Sequence, residues 1–162
     1  MTLTGTGTLD ADLNNDGTVT AFAGGTLTVK GAVVNNGTLR ISNGTTLAAT
    51  GSFVNNGVLD LLTAGPGLPA NFENNGIVID STSLRTVSAT KTGATVVVKV
   101  QGHSGHTYQL QRADSLRSQS WVNIGPAQVG TTRSDGSGTE LSFSDVGGAI
   151  GDQRFYKVQV GP

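Results

Sequence analysis

Three features of the chain predict an all-β fold. The first half returns about every twenty residues to one word, in which amides precede glycine and alternating apolar residues follow: "LNNDGTVTA" (13–21), "VVNNGTLRI" (33–41), "FVNNGVLDL" (53–61) and "FENNGIVID" (72–80). The second half is a series of short alternating runs separated by turn residues. No long window carries a helical period, because glycine interrupts each one and good helix formers do not cluster.

In the first half, Gly17, Gly37, Gly57 and Gly76 are spaced 20, 20 and 19 apart. A looser word falls between them: "GTLDAD" (7–12), "GTLTVKG" (25–31), "GTTLAATG" (44–51) and "GPGLPA" (65–70). A period near twenty with alternating apolar residues predicts a short β-solenoid of about four coils. One coil cannot bury its own apolar face, so coils must stack at the strand spacing of about 4.8 Å. Val19 and Ala21, Leu39 and Ile41, and Leu59 and Leu61 are placed inward, with Phe22, Phe53 and Phe72 adding bulk.

The recurring amides fall at one corner: Asn35, Asn36 and Gly37, then Asn55, Asn56 and Gly57, then Asn74, Asn75 and Gly76. Asn tolerates left-handed backbone and Gly enters it freely, so the chain is expected to turn there through that conformation. Stacked in register, the amides are expected to bond to one another as a ladder.

In the second half, "TVSAT" (86–90), "ATVVVKVQG" (94–102), "HTYQLQRA" (106–113), "SWVNIG" (120–125), "AQVGT" (127–131), "ELSFSD" (140–145) and "RFYKVQV" (154–160) read as strands. Loops such as "SDGSG" (134–138) and "DVGGAIGD" (145–152) carry turn residues. About seven short strands in this length predict an immunoglobulin-like or fibronectin-III-like β-sandwich, with Trp121 in its core.

Vocabulary and charge divide the halves. Ten of eleven Asn lie before residue 81, and every Gln lies from 101 onward. Residues 1–80 carry two basic against six acidic residues, a net of −4, and residues 81–162 carry eight against five, a net of +3. Two domains are therefore expected, 1–82 and 83–162. Charged residues make up 13% of the chain, about half the share of an average soluble protein.

The series "YQLQRADSL…SWVNIGPAQVG…LSFSDVGG…RFYKVQV" resembles the C-terminal β-sandwich module of large secreted repeat proteins from Verrucomicrobia and Planctomycetes. The Asn-Asn-Gly coils resemble the autotransporter-like β-solenoid repeats that precede such modules. This resemblance implies an extracellular or cell-surface setting and no catalytic residues.

Several chemistries can be weighed from the residues. Asp12, Asn14 and Asp16 precede Gly17 at the spacing of a calcium loop, making calcium the one candidate cofactor. The twelfth position of that loop is Ala23, which cannot complete the cage. "HSGH" (103–106) places His103 and His106 in an apparent solvated turn, and no third zinc ligand accompanies them. There is no cysteine, so neither disulfides nor thiolate metal sites form. No G-x-S-x-G elbow, clustered acids or P-loop lysine occurs, so no enzyme is expected. A charge near zero without basic stripes argues against nucleic acid. No apolar run is long enough to insert in a membrane, and "MTLTGTG" is not a signal peptide.

The repeat is already in phase by residue 5, which predicts an uncapped first coil whose unpaired N–H and C=O groups invite another strand. The function expected from these features is a non-enzymatic extracellular structural protein. It would assemble head to tail as a homo-oligomer or polymer, giving a fibre or surface layer. The alternative is the C-terminal part of a larger surface adhesin or carbohydrate-binding protein, with polysaccharide as its partner.

Overall fold

The computed structural model describes residues 2–22, 24–42, 44–64, 67–117, 120–150 and 153–161. The chain divides into two compact units, Met1–Thr82 and Ser83–Pro162. No α-helix occurs among the described residues; a short 3-10 turn covers Ser81–Ser83.

The first unit is a three-sided β-solenoid. Its first turn is β1 (Thr2–Thr4), β2 (Gly7–Leu9) and β3 (Leu13–Asn15). The second is β4 (Thr18–Ala21), β5 (Thr26–Val29) and β6 (Val33–Asn35), and the third is β7 (Thr38–Ile41), β8 (Thr46–Ala49) and β9 (Phe53–Asn55). β10 (Val58–Asp60), β11 (Phe72–Asn74) and β12 (Ile77–Ile79) follow. The sheets run β1-β4-β7-β10-β12, β3-β6-β9-β11 and β2-β5-β8, with parallel pairing throughout. Parallel neighbours need a long return connection, commonly a helix. Here the other two sides of the coil supply it.

The register sets each residue over its counterpart one period away. Leu13 pairs with Val33, Val33 with Phe53 and Phe53 with Phe72; on the next side Val19, Leu39, Leu59 and Val78 form a column. These columns make one core in which Val29, Val33, Leu39, Ile41, Phe53 and Leu59 are fully buried. Phe53 and Phe72 meet edge to face with ring centroids 5.0 Å apart.

The solenoid has about three full turns rather than four. The fourth period reads "GPGLPA", and Gly67–Pro69 form no strand against β8. Pro69 has no N–H for a ladder, which keeps proline out of strand interiors. Gly65 and Pro66 lie outside the described residues. Phe22 is not core either: it sits at a corner and is 40% exposed.

The second unit holds two three-stranded antiparallel sheets. One is β13 (Thr86–Thr92), β14 (Thr95–Gly102) and β17 (Thr139–Val146), ordered β13-β14-β17. The other is β16 (Val122–Val129), β15 (Thr107–Ala113) and β18 (Phe155–Gly161), ordered β16-β15-β18. β13 and β14 are joined by the two-residue turn Gly93-Ala94, with Gly93 at φ 58° as a tight hairpin requires. Alternate residues bury Val98, Val100, Tyr108, Leu110, Leu141 and Phe143.

Among the described residues six strands stand where about seven were expected. "SWVNIG" and "AQVGT" belong to the one strand β16, because Gly125 and Pro126 form a bulge instead of a break. Leu110 pairs with Ile124 and Tyr108 with Gln128, so three residues oppose Gln109. Gly125 takes φ 64°, and the Gln109 amide Nε2 donates to the freed carbonyls of Ile124 and Gly125 at 3.2 Å each. Trp121 is half-buried, not core, and Lys157 Nζ lies 4.3 Å from its ring centroid.

Candidate functional site

Two rows of amides run up one corner of the solenoid, and they are bonded in opposite senses. In the inner row Asn15 Nδ2 donates to Asn35 Oδ1, Asn35 Nδ2 to Asn55 Oδ1, and Asn55 Nδ2 to Asn74 Oδ1, each at 2.7 Å. The same Nδ2 groups also donate to the carbonyls of Thr38, Val58 and Ile77 in the next layer. Asn35 and Asn55 are completely buried, so these bonds satisfy groups that water cannot reach.

In the outer, exposed row the bonds point the other way. Asn36 Nδ2 donates to Asp16 Oδ1 at 2.8 Å, Asn56 Nδ2 to Asn36 Oδ1 at 2.9 Å, and Asn75 Nδ2 to Asn56 Oδ1 at 3.2 Å. Each amide gives downward, so the first position needs only to accept. A carboxylate serves there without losing a bond, and Asp16 occupies it.

The glycines of this corner are not left-handed. None of Gly37, Gly57 and Gly76 has positive φ, which corrects the expected turn geometry. They are required by close approach instead. A Cβ on Gly37 would overlap Gly17 O, one on Gly57 would overlap Gly37 O, and one on Gly76 would overlap Gly57 O. Left-handed backbone is used at a different corner, by Gly24, Gly25 and Gly44.

The expected ladder began at Asn35, but Asn15 and Asp16 are its first members. Aligning "NNDG" on its glycine rather than its first amide would have revealed them. Charged columns were also missed, although opposite charges twenty residues apart mark them: Lys30 Nζ meets Asp10 at 3.0 Å, and Arg40 Nε meets buried Asp60 at 2.8 Å.

The calcium candidates are spread along an extended segment. Asn14 is the middle of β3, and Asp12, Asn14 and Asp16 follow one another at alternate residues, about 7 Å per step. Asp12 Oδ1 accepts the Ala32 N–H at 2.7 Å, and Asp16 accepts Asn36. Both carboxylates thus serve coil stacking. Ala23 lies outside the described residues. Among the described residues no group of three or more His, Cys, Asp or Glu side chains is placed to hold a metal ion.

"HSGH" is not the solvated turn expected. Ser104 and Gly105 are exposed, whereas His103 and His106 are 2% and 0% exposed. The His103 N–H donates to Tyr108 Oη at 2.9 Å, and Gly130 packs so closely on the His103 backbone that a Cβ there would overlap it.

In the second unit Asp145 joins β17 to β15 and β18. It accepts two bonds from Arg112 Nη1, at 3.1 and 3.0 Å, and one from Tyr156 Oη at 2.9 Å. The hydrogen bond to Asp145 holds Arg112 above its ordinary value. Burial, then the bond to Asp145 and its charge, push the Tyr156 phenol up to about 12. An ordinary tyrosine titrates near 10. The stability tied to this phenol is thus complete below pH of about 10 and is lost as pH rises through about 12. An alkaline absorbance titration should show a phenolate step near pH 12 that is missing in Tyr156→Phe and moves down in Asp145→Asn. A Tyr156 step at the ordinary position would contradict the arrangement.

At the first layer, β1, β2 and β3 are each the terminal strand of their sheet. Lys30 N–H donates to Leu9 O, so Leu9 faces β5; in a parallel strand the neighbouring Thr8 then directs its N–H and C=O away from β5. The first layer also cuts its corner. Only two residues separate Thr4 from Gly7, whereas six separate their partners Thr20 and Leu27. This leaves an apolar recess lined by Gly5, Gly7, Leu9, Val19 and Leu27. Among the described residues no helix is long and apolar enough to cross a membrane. Comparison with protein families, with curated proteins and with solved structures finds no match to the chain.

Proposed function

We propose that this is a non-enzymatic structural protein of the extracellular space or cell surface. Copies assemble head to tail, the first solenoid layer of one docking on the next. The observation that carries this reading is the layered register: each coil pairs in parallel with the one a period away, and the first described layer presents the same strand edges beside an apolar recess, a surface on which a further coil fits. Unpaired strand edges recruit further strands unless they are blunted. Asp10, Asp12 and Asp16 gather acidic charge on this side, and the second half of the chain carries the +3 excess. Asp16 can only accept, so the docking surface must offer it a donor or a cation. A heterologous contact of this kind propagates rather than closes.

The finer fold proposed for the second unit is an immunoglobulin- or fibronectin-III-like sandwich. Support comes from its two sheets being tied by Arg112–Asp145, Tyr156–Asp145 and Gln128–Ser142 O bonds. The likeness to secreted repeat proteins of Verrucomicrobia and Planctomycetes supports the extracellular setting. A glycan-binding reading gains less, because Lys157 takes up a face of Trp121 that a sugar would stack on.

Sedimentation and negative-stain microscopy across a concentration series test the proposal. Growing filaments are expected, and Thr6→Lys with Thr8→Lys, both of which line the recess, should shorten or abolish them without altering the circular dichroism spectrum. Monomers at every concentration would sink it, and monomers retained by a polysaccharide column would favour the adhesin alternative.

A further inference from the structure

The geometry points to a spontaneous modification site at Asn75–Gly76, independent of the assembly just described. Asn-Gly is the dipeptide most prone to non-enzymatic deamidation, since glycine leaves its backbone nitrogen open to the preceding side chain. The chain has four: Asn36–Gly37, Asn43–Gly44, Asn56–Gly57 and Asn75–Gly76. In three of them the nitrogen that must attack is held by a carbonyl of a neighbouring coil. Gly37 N–H donates to Asn15 O, Gly44 N–H to Thr63 O and Gly57 N–H to Asn35 O, each at 2.8 Å. Among the described residues the Gly76 N–H has no such acceptor; only the Asn75 N–H reaches Asn55 O. Gly76 also lies between β11 and β12, the last strands of their sheets, so among the described residues no further coil pairs with this edge.

The reaction needs only water. Gly76 N attacks Asn75 Cγ, forming the N–Cγ bond of a succinimide. The bond from Cγ to the side-chain nitrogen breaks, and ammonia leaves with the proton given up by Gly76. Water then opens the ring at one carbonyl or the other, giving an aspartyl or isoaspartyl residue. In total, amide and water become carboxylate and ammonium.

Bond direction in the outer row gives this change a consequence. Asn75 Nδ2 donates to Asn56 Oδ1 at 3.2 Å and to Glu73 Oε1 at 3.3 Å. A carboxylate in its place faces two acceptors, one of them charged. The acid that fits at Asp16, the accepting end, is thus unfavourable at the donating end, and conversion loosens the last turn of the row.

The test is peptide mapping by mass spectrometry of the full chain held in mildly alkaline buffer, with aspartyl and isoaspartyl forms separated. In the folded protein Asn75 should convert at least about tenfold faster than Asn36, Asn43 or Asn56, the ratio reporting the local opening that the other three require. In urea all four should convert at similar rates. Gly76→Ala, which crowds the attacking nitrogen, should slow Asn75 in urea too, where folding plays no part. Equal rates at the four sites in the folded protein would overturn the proposal, as would an unmodified Asn75 in a chain whose unfolded form reacts.

Discussion

Gly57→Ala should unfold the solenoid, whereas Gly24→Ala should leave it standing. The order reverses what backbone conformation alone implies. Gly24 sits at φ 73° with open space around the missing Cβ, so alanine there meets only the left-handed penalty, about 1 to 2 kcal/mol. Gly57 has an ordinary φ, but a Cβ on it would overlap the carbonyl of Gly37 and the backbone of Asn36. No side chain can swing aside to make room. The coil must lift, and lifting weakens the bonds of Asn56 N–H and Gly57 N–H to Asn35 O together with the Asn35–Asn55 bond. Overpacking costs about 1 to 3 kcal/mol where side chains yield, so about 3 kcal/mol or more is expected here. That is a large part of a typical domain stability of about 5 to 15 kcal/mol. Urea unfolding followed by far-ultraviolet circular dichroism measures it. Trp121 fluorescence reports the second unit separately, since it is the sole tryptophan, and its midpoint should not move. Equal losses for the two substitutions would show that the coils are not in the close register described.

The same comparison shows how far a sequence carries. The twenty-residue return of Asn-Asn-Gly is enough for the stack, because a core of single-residue columns needs each period to repeat the last. It is not enough for the reason behind the glycine. Left-handed turning and close backbone approach both select glycine, and only the neighbouring layer distinguishes them. The incomplete fourth turn follows from Pro69, which in the sequence alone reads as part of a looser repeat. His103 and His106 look solvated between Gly-rich turns, yet Gly130, far along the chain, packs against the His103 backbone. The Arg112–Asp145–Tyr156 cluster joins positions 33 and 11 residues apart in sequence, with no local spacing to announce it. The direction of the two amide rows was equally hidden. Oxygen and nitrogen are the same distance from the backbone in every asparagine, and the difference appears only when Asp16 is seen to end the row.

That direction makes a second large effect predictable. Asn35→Asp should be nearly tolerated in mild acid and severely destabilising at neutral pH. Asn35 is fully buried; its Oδ1 accepts Asn15, and its Nδ2 donates to Asn55 Oδ1 at 2.7 Å and Val58 O at 3.0 Å. A carboxylate keeps the first bond but turns an oxygen toward two other oxygens. An uncompensated buried charge of this kind costs about 3 to 5 kcal/mol. Protonation removes the charge and restores one donor, leaving about 1 kcal/mol for the bond still missing. The sign follows from linkage. Burial and facing acceptors raise the folded-state value of the new carboxyl above its unfolded value of about 4, so the stability it permits is present below that pH and falls as pH rises. Asn36→Asp supplies the contrast, because it sets the new carboxylate beside Asp16 in the solvated outer row, where the penalty should stay under about 1 kcal/mol at neutral pH. Urea midpoints of both variants at acid and neutral pH, each referred to the unsubstituted chain at the same pH, measure the difference. A flat pH response for Asn35→Asp, or a larger loss in Asn36→Asp, would mean that the inner row does not hold its amides away from water in the stated sense.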